Sequence, residues 1–139
     1  DNYWPFLIII SISVATDIGG YIFGKILKGP KLTKLSPNKT YAGVLGGYIC
    51  SIILYFIILT TKLVEKQYFI NFLIFVFLIS SISQLGDILI SYFKRLSKIK
   101  DTGKIIPGHG GLLDRIDGMI FAFPASYLLV LIDYFNFFI

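Results

Sequence analysis

The chain has 139 residues, 55% of them hydrophobic and 17% aromatic, with only 15% charged and a formal net charge of +5. So large an apolar excess excludes an ordinary soluble domain. Apolar stretches of about 20 residues recur, long enough to cross a bilayer, and the chain reads as an integral membrane protein.

The lone cysteine, Cys50, falls inside an apolar run and excludes both a disulfide framework and a cysteine-ligated metal. The first apolar stretch has no basic region before it and no small-residue cleavage site after it, which distinguishes it from a signal peptide. A chain that opens on Asp1 and enters an apolar span almost at once is expected to be a fragment of a longer membrane protein.

The first predicted span covers residues 3–23, with Tyr3 and Trp4 as an interfacial belt. Its second half carries Asp17, and an ionisable group inside a span is a functional candidate by default; the plainer alternative is an interfacial carboxylate paired with a lysine. A predicted loop over residues 24–43 follows, with Lys25, Lys28, Lys31, Lys34 and Lys39. At its centre Ser36, Pro37, Asn38, Lys39 and Thr40 form a rigid turn that offers hydroxyls and an ammonium to phosphate oxygens. An ordinary basic cytoplasmic loop is the alternative for this stretch.

The second span is expected over residues 44–61, opened by Gly43, Gly46 and Gly47, small residues that let helices approach closely. A short connection, residues 62–67, leads to a third span over residues 68–93. In it Asp87 and Ser91 are four apart and share one helix face. A lipid-facing carboxylate is too costly, so that face looks into the bundle and Asp87 is a site residue. The fourth span is expected over residues 116–135, after a loop over residues 94–115.

The polar passage at residues 91–117, S-Y-F-K-R-L-S-K-I-K-D-T-G-K-I-I-P-G-H-G-G-L-L-D-R-I-D, is where chemistry is concentrated. Lys94, Arg95, Lys100, Asp101, His109, Asp114, Arg115 and Asp117 fall within 24 positions. Pro107, Gly108, Gly110 and Gly111 forbid regular helix and let backbone approach a ligand. Asp114 and Asp117, three apart at a helix start, share one face. Two carboxylates so placed repel in low dielectric unless a cation sits between them. Hard oxygen donors suit Mg²⁺, which takes one or two carboxylates together with substrate phosphates, so a metal–phosphate site at a membrane face is expected. The alternative is that the two carboxylates merely complement a helix N-terminus.

Both basic loops follow an odd number of crossings, which puts them on one side, the cytoplasmic one, with both chain ends on the other. Such basic clusters suit anionic lipid headgroups and phosphates. With no basic face on a soluble element, nucleic acid is excluded as a partner.

Residues 91–117 resemble the signature of the phosphatidate cytidylyltransferases, also called CDP-diacylglycerol synthases. Upstream, D-I-G-G-Y-I-F-G-K from Asp17 and S-P-N-K-T-Y-A-G-V-L-G-G from Ser36 resemble two further motifs of that family, in the same order and spacing. The chain departs from the family at Asn38, Ala42 and Gly118, where a lysine, a glutamate and a serine are common. Members are longer, so the chain is expected to be a C-terminal catalytic half, a single transmembrane domain over residues 1–139.

The resemblance implies an all-α bundle of about four membrane-spanning helices with a polar site on its cytoplasmic side, in the bacterial inner membrane. It implies the conversion of CTP and phosphatidic acid to CDP-diacylglycerol and diphosphate by in-line attack of the lipid phosphate on the α-phosphorus. Asp87, Asp114 and Asp117 are then assigned to Mg²⁺, as one ion or as two with a monovalent ion as an alternative second. Lys94, Arg95, Lys100 and Arg115 would clamp phosphates, and Ser36, Lys39, Thr40 and Ser91 would contact nucleotide or lipid. Asp101 is either a further ligand or an orienting partner for a base. His109 either protonates or hydrogen-bonds the diphosphate, or braces the glycine loop. Four spans with inward polar residues need partners, so a homodimer, or the missing half of the chain, is expected to complete them. Two other functions compete: a CTP-dependent polyprenol or lipid kinase, and an ion transporter or channel lined by Asp17 and Asp87.

Overall fold

A computed structural model of the chain describes residues 3–34, 39–99 and 113–131, the side chains of residues 113–116 excepted. Among them are four α-helices and no strand: α1 Trp4–Leu27, α2 Tyr41–Thr60, α3 Phe69–Leu96 and α4 Leu113–Val130, with a single 3-10 turn, Lys66–Tyr68, leading into α3. The architecture is a helical membrane bundle, as the apolar spans predict. Helices suit these stretches because each satisfies its own backbone hydrogen bonds, which lipid cannot do.

Three of the helices, α1, α2 and the run from the 3-10 turn through α3, are long and apolar enough to cross a membrane. The apolar part of α4, Asp117–Val130, is shorter and contains Pro124. The helices extend past the expected polar boundaries. Pro5 pre-sets the first turn of α1, and the helix runs four residues beyond the predicted end at residue 23. Lys25 stays helical because its long stem lets the charged head reach outward, where its Nζ lies 3.4 Å from the Tyr21 hydroxyl and 5.5 Å from that ring's centre. The helix stops at Lys28, whose φ of 41° is left-handed, ahead of Gly29 and Pro30. Likewise α3 continues to Leu96, since Lys94 and Arg95 in its last turn complement the helix dipole.

The loop from α1 to α2 is not slack. Leu32 N donates to Lys39 O at 2.8 Å and Tyr41 N to Pro30 O at 3.2 Å, pairing Lys31 with Thr40 as an antiparallel bridge. Thr40 then caps α2, its Oγ1 accepting from Gly43 N at 3.1 Å. The backbone on either side of Lys39 is therefore held before its side chain makes any contact.

The apolar core lies toward one end of the bundle: Ile8, Ile9 and Ile12 of α1, Tyr55 and Ile58 of α2, Phe72, Phe75, Val76 and Ile79 of α3, and Ala122 of α4. Above it the packing turns polar. Thr16 Oγ1 donates to Ser80 Oγ at 2.9 Å, joining α1 to α3, and the Tyr48 hydroxyl lies 2.8 Å from Ser81 Oγ, joining α2 to α3. Side-chain hydrogen bonds hold membrane helices together where lipid offers no hydrophobic drive between them. The last ten or so residues of α1 and α3 and the first turns of α2 and α4 thus meet at the polar end.

Helices α1 and α2 pack closest there, through glycines. A Cβ on Gly19 would run into the Gly46 carbonyl and lie 2.8 Å from both Cys50 Cβ and Sγ, whereas one on Gly20 would sit 3.5 Å from the Gly43 carbonyl, an ordinary contact. Gly19→Ala is therefore expected to destabilise the bundle by about 1–3 kcal/mol, the usual cost of overpacking, while Gly20→Ala leaves it near wild type. Thermal unfolding of the two variants in detergent measures the contrast; equal melting temperatures would refute this packing.

Candidate active site

The polar end encloses a cavity of about 530 Å³ that draws on all four helices. Asp17 comes from α1, Lys39 and Thr40 from the loop and cap before α2, Gln84, Asp87, Ser91 and Lys94 from α3, and Asp117 from α4. Val14, Ile18 and Tyr21 of α1 also line it, and all three are exposed on the outer surface of the bundle. Polar groups and an exposed apolar wall therefore share one opening.

Two ion pairs cross the cavity. Lys39 Nζ meets Asp87 Oδ2 at 2.5 Å, joining positions 48 apart in sequence, and Lys94 Nζ meets Asp117 Oδ2 at 3.3 Å. The second pair is the more enclosed, with side chains 16% and 8% exposed against 32% and 18% for the first. Charges so far from water persist only where they are paired. Asp17 faces Asp87, and Lys39 and Asp117 are close enough to act on it electrostatically.

The placement of Asp87 and Asp117 depends on small residues. A Cβ on Gly118 would meet Ser83 Oγ, and would lie 2.9 Å from both Asp87 Oδ1 and the Ser83 carbonyl. Gly86 in turn admits the Phe121 ring, a Cβ there lying 2.8 Å from its Cδ2. Helices α3 and α4 thus touch at the residues that carry the carboxylates. At position 118, glycine leaves the room that Ser83 and Asp87 occupy. Gly118→Ser is expected to reduce activity several-fold by displacing Asp87, and Ser83→Ala to restore part of it; no loss in Gly118→Ser would contradict the contact.

Of the residues expected at the site, the cavity brings together Lys39, Thr40, Asp87, Ser91, Lys94 and Asp117. Arg95 is exposed on the last turn of α3 and does not line the cavity. Asp114 and Arg115 belong to the first turn of α4, but their side chains lie outside the described residues, as do Ser36, Lys100, Asp101 and His109 altogether. Gln84 joins the cavity wall without having been expected there. Its signal was available: it is a polar residue three positions before Asp87 on the same helix face. Asp17, singled out only as an ionisable intramembrane residue, proves to share the cavity with the others.

The donors suit a hard cation. Asp87, Asp117 and Ser91 offer oxygens to one cavity. Mg²⁺ commonly takes one or two carboxylates together with phosphate and water, and two carboxylates line this cavity from α3 and α4. The two ammonium groups beside them suit anionic oxygens.

The fold and this cavity together define a helical membrane protein with a charge-lined site set among its helices. The chain belongs to the cytidylyltransferase family, whose model matches residues 1–133. It is 45% identical over 118 residues to a phosphatidate cytidylyltransferase of Staphylococcus haemolyticus, covering 84% of this chain and 45% of that protein. A phosphatidate cytidylyltransferase of Rickettsia bellii is 40% identical over 135 residues, covering 92% of this chain and 58% of the relative. The chain thus spans about half the length of these curated relatives. Its fold is similar to that of a solved intramembrane enzyme for archaeal membrane lipids biosynthesis, with a TM-score of 0.65 and 19% identity over 93% of this chain and 80% of that one.

Proposed function

We propose that the protein carrying this chain is a phosphatidate cytidylyltransferase, joining CTP and phosphatidic acid to give CDP-diacylglycerol and diphosphate. The observation that carries the reading is the cavity in which two carboxylate–lysine pairs stand beside a wall of exposed apolar residues. A reaction between a soluble nucleotide and a lipid phosphate needs both surfaces at one place. The relatives named for this activity support the same substrates.

Both substrates are anions, so catalysis consists largely of bringing them together and neutralising charge. A divalent cation held by Asp87 and Asp117, with Asp114 three positions before Asp117 in sequence, would polarise the phosphoryl oxygens and offset the charge that passes to the leaving diphosphate. Lys39 and Lys94 supply mobile point charges for phosphate oxygens. Ser91 and Thr40 add hydroxyls, although Thr40 Oγ1 already serves the α2 cap. The lipid phosphate attacks the α-phosphorus in line and the bond to the β-phosphate oxygen breaks. No protein nucleophile is required. The exposed wall of Val14, Ile18 and Tyr21 suits the acyl chains. The basic loops support a site on the cytoplasmic face of a bacterial inner membrane, and a dimer belongs to the same reading.

The test uses the full-length protein in detergent with phosphatidic acid, Mg²⁺ and CTP labelled separately at the α- and γ-phosphates. The expected result is α label in lipid and γ label released as diphosphate. Entry of γ label into lipid would instead establish a CTP-dependent lipid kinase.

A further inference from the structure

Asp17 is a carboxylate in the interior of a membrane-spanning helix, and the function proposed above leaves it without a role. It lines the cavity from α1, facing Asp87 of α3 with Lys39 within electrostatic reach. Two carboxylates therefore confront one ammonium. Only Asp87 makes the direct contact. The backbone is held at both positions. Asp17 lies on α1 two residues before Gly19, where α1 and α2 are in backbone contact, and Lys39 is held by its carbonyl's bond to Leu32 N and by the adjoining Thr40 cap. What can change is the Lys39 rotamer.

A divalent cation drawn to Asp87 competes directly with the Lys39 ammonium for the same oxygens, since both are cations seeking one carboxylate. Once displaced, an ammonium in a membrane-embedded cavity still needs a counter-charge. Resting on the nucleotide-transfer reading, we propose that Asp17 is a positioning residue: it takes over Lys39 when Asp87 engages the metal, and so holds the ammonium in the cavity for the triphosphate. Metal and nucleotide then favour each other's binding. The metal frees Lys39 for phosphate, and phosphate stabilises the lysine position that leaves Asp87 open. Asp17 stays in place on α1 in this exchange and need not touch substrate.

The experiment measures Mg·CTP binding by calorimetry, without lipid, on full-length wild type, Asp17→Asn, Lys39→Gln and the double variant in detergent. Mn²⁺ binding without nucleotide is followed in parallel by electron paramagnetic resonance. Asp17→Asn is expected to weaken Mg·CTP binding about tenfold, and to add nothing further in the Lys39→Gln background, because the two residues act through one ammonium. Its Mn²⁺ affinity without nucleotide should fall where Lys39 is present, since the displaced ammonium loses its counter-charge, and should not fall in the Lys39→Gln background. Asp17→Ser is run beside it, so that the result does not hang on the packing of one amide. Losses that multiply in the double variant, or unchanged Mg·CTP affinity in both Asp17 variants, would overturn the proposal. Loss of Mn²⁺ binding on adding Asp17→Asn to Lys39→Gln would overturn it too, by making Asp17 a metal ligand. Wild type that binds no Mg·CTP would instead refute the nucleotide-transfer reading and take this inference with it.

Discussion

Replacing either cavity carboxylate by its amide, Asp87→Asn or Asp117→Asn, is expected to lower cytidylyl transfer by at least about 10³-fold. The estimate follows from the several kcal/mol of charge stabilisation that a metal supplies at a reacting phosphoryl group, with each 1.36 kcal/mol worth tenfold in rate. Asparagine keeps the shape and loses the charge, so helical content should hold while Mn²⁺ binding falls. Asp87 and Asp117 lie on different helices and meet only in the folded bundle. Comparable losses from the two would support one shared centre. A variant that kept near-wild-type turnover with normal metal binding would remove that residue from the centre.

Loss of the lysines should separate stability from chemistry. Lys94→Met strips the ammonium from Asp117, a carboxylate only 8% exposed. Breaking an enclosed ion pair from one side is strongly destabilising, by roughly 3 kcal/mol, so the melting temperature should fall clearly along with activity. Adding Asp117→Asn to Lys94→Met should recover most of the stability and none of the activity. Lys39→Met, whose pair is more exposed, should cost less stability because water screens what remains, while still weakening nucleotide binding. Equal melting temperatures for Lys94→Met and Lys39→Met would show that burial does not distinguish the two pairs.

The amino-acid sequence by itself determined the class of protein and where its chemistry is concentrated. Apolar spans can be read from composition because a bilayer requires about 20 apolar residues per crossing and satisfied backbone within them. Asp87 and Ser91 could be placed on one face because helical periodicity is local, and both line the cavity. The ends of the helices were less legible. Lys25, Lys94 and Arg95 look like loop residues by charge, yet a long aliphatic stem or a favourable helix dipole keeps them helical.

Only the tertiary structure decided which charges meet. Lys39 and Lys94 read as phosphate clamps and Asp87 and Asp117 as metal ligands, and nothing in their spacing tells that each lysine neutralises one of the carboxylates. That pairing depends on the rotation of α1, α2, α3 and α4 about their axes and on the close approach of backbones at Gly19, Gly46 and Gly118. Those are properties of helix packing between positions far apart in the chain. The same packing brings Asp17 from a separate helix to face Asp87, and so turns a lone intramembrane carboxylate into part of the cavity.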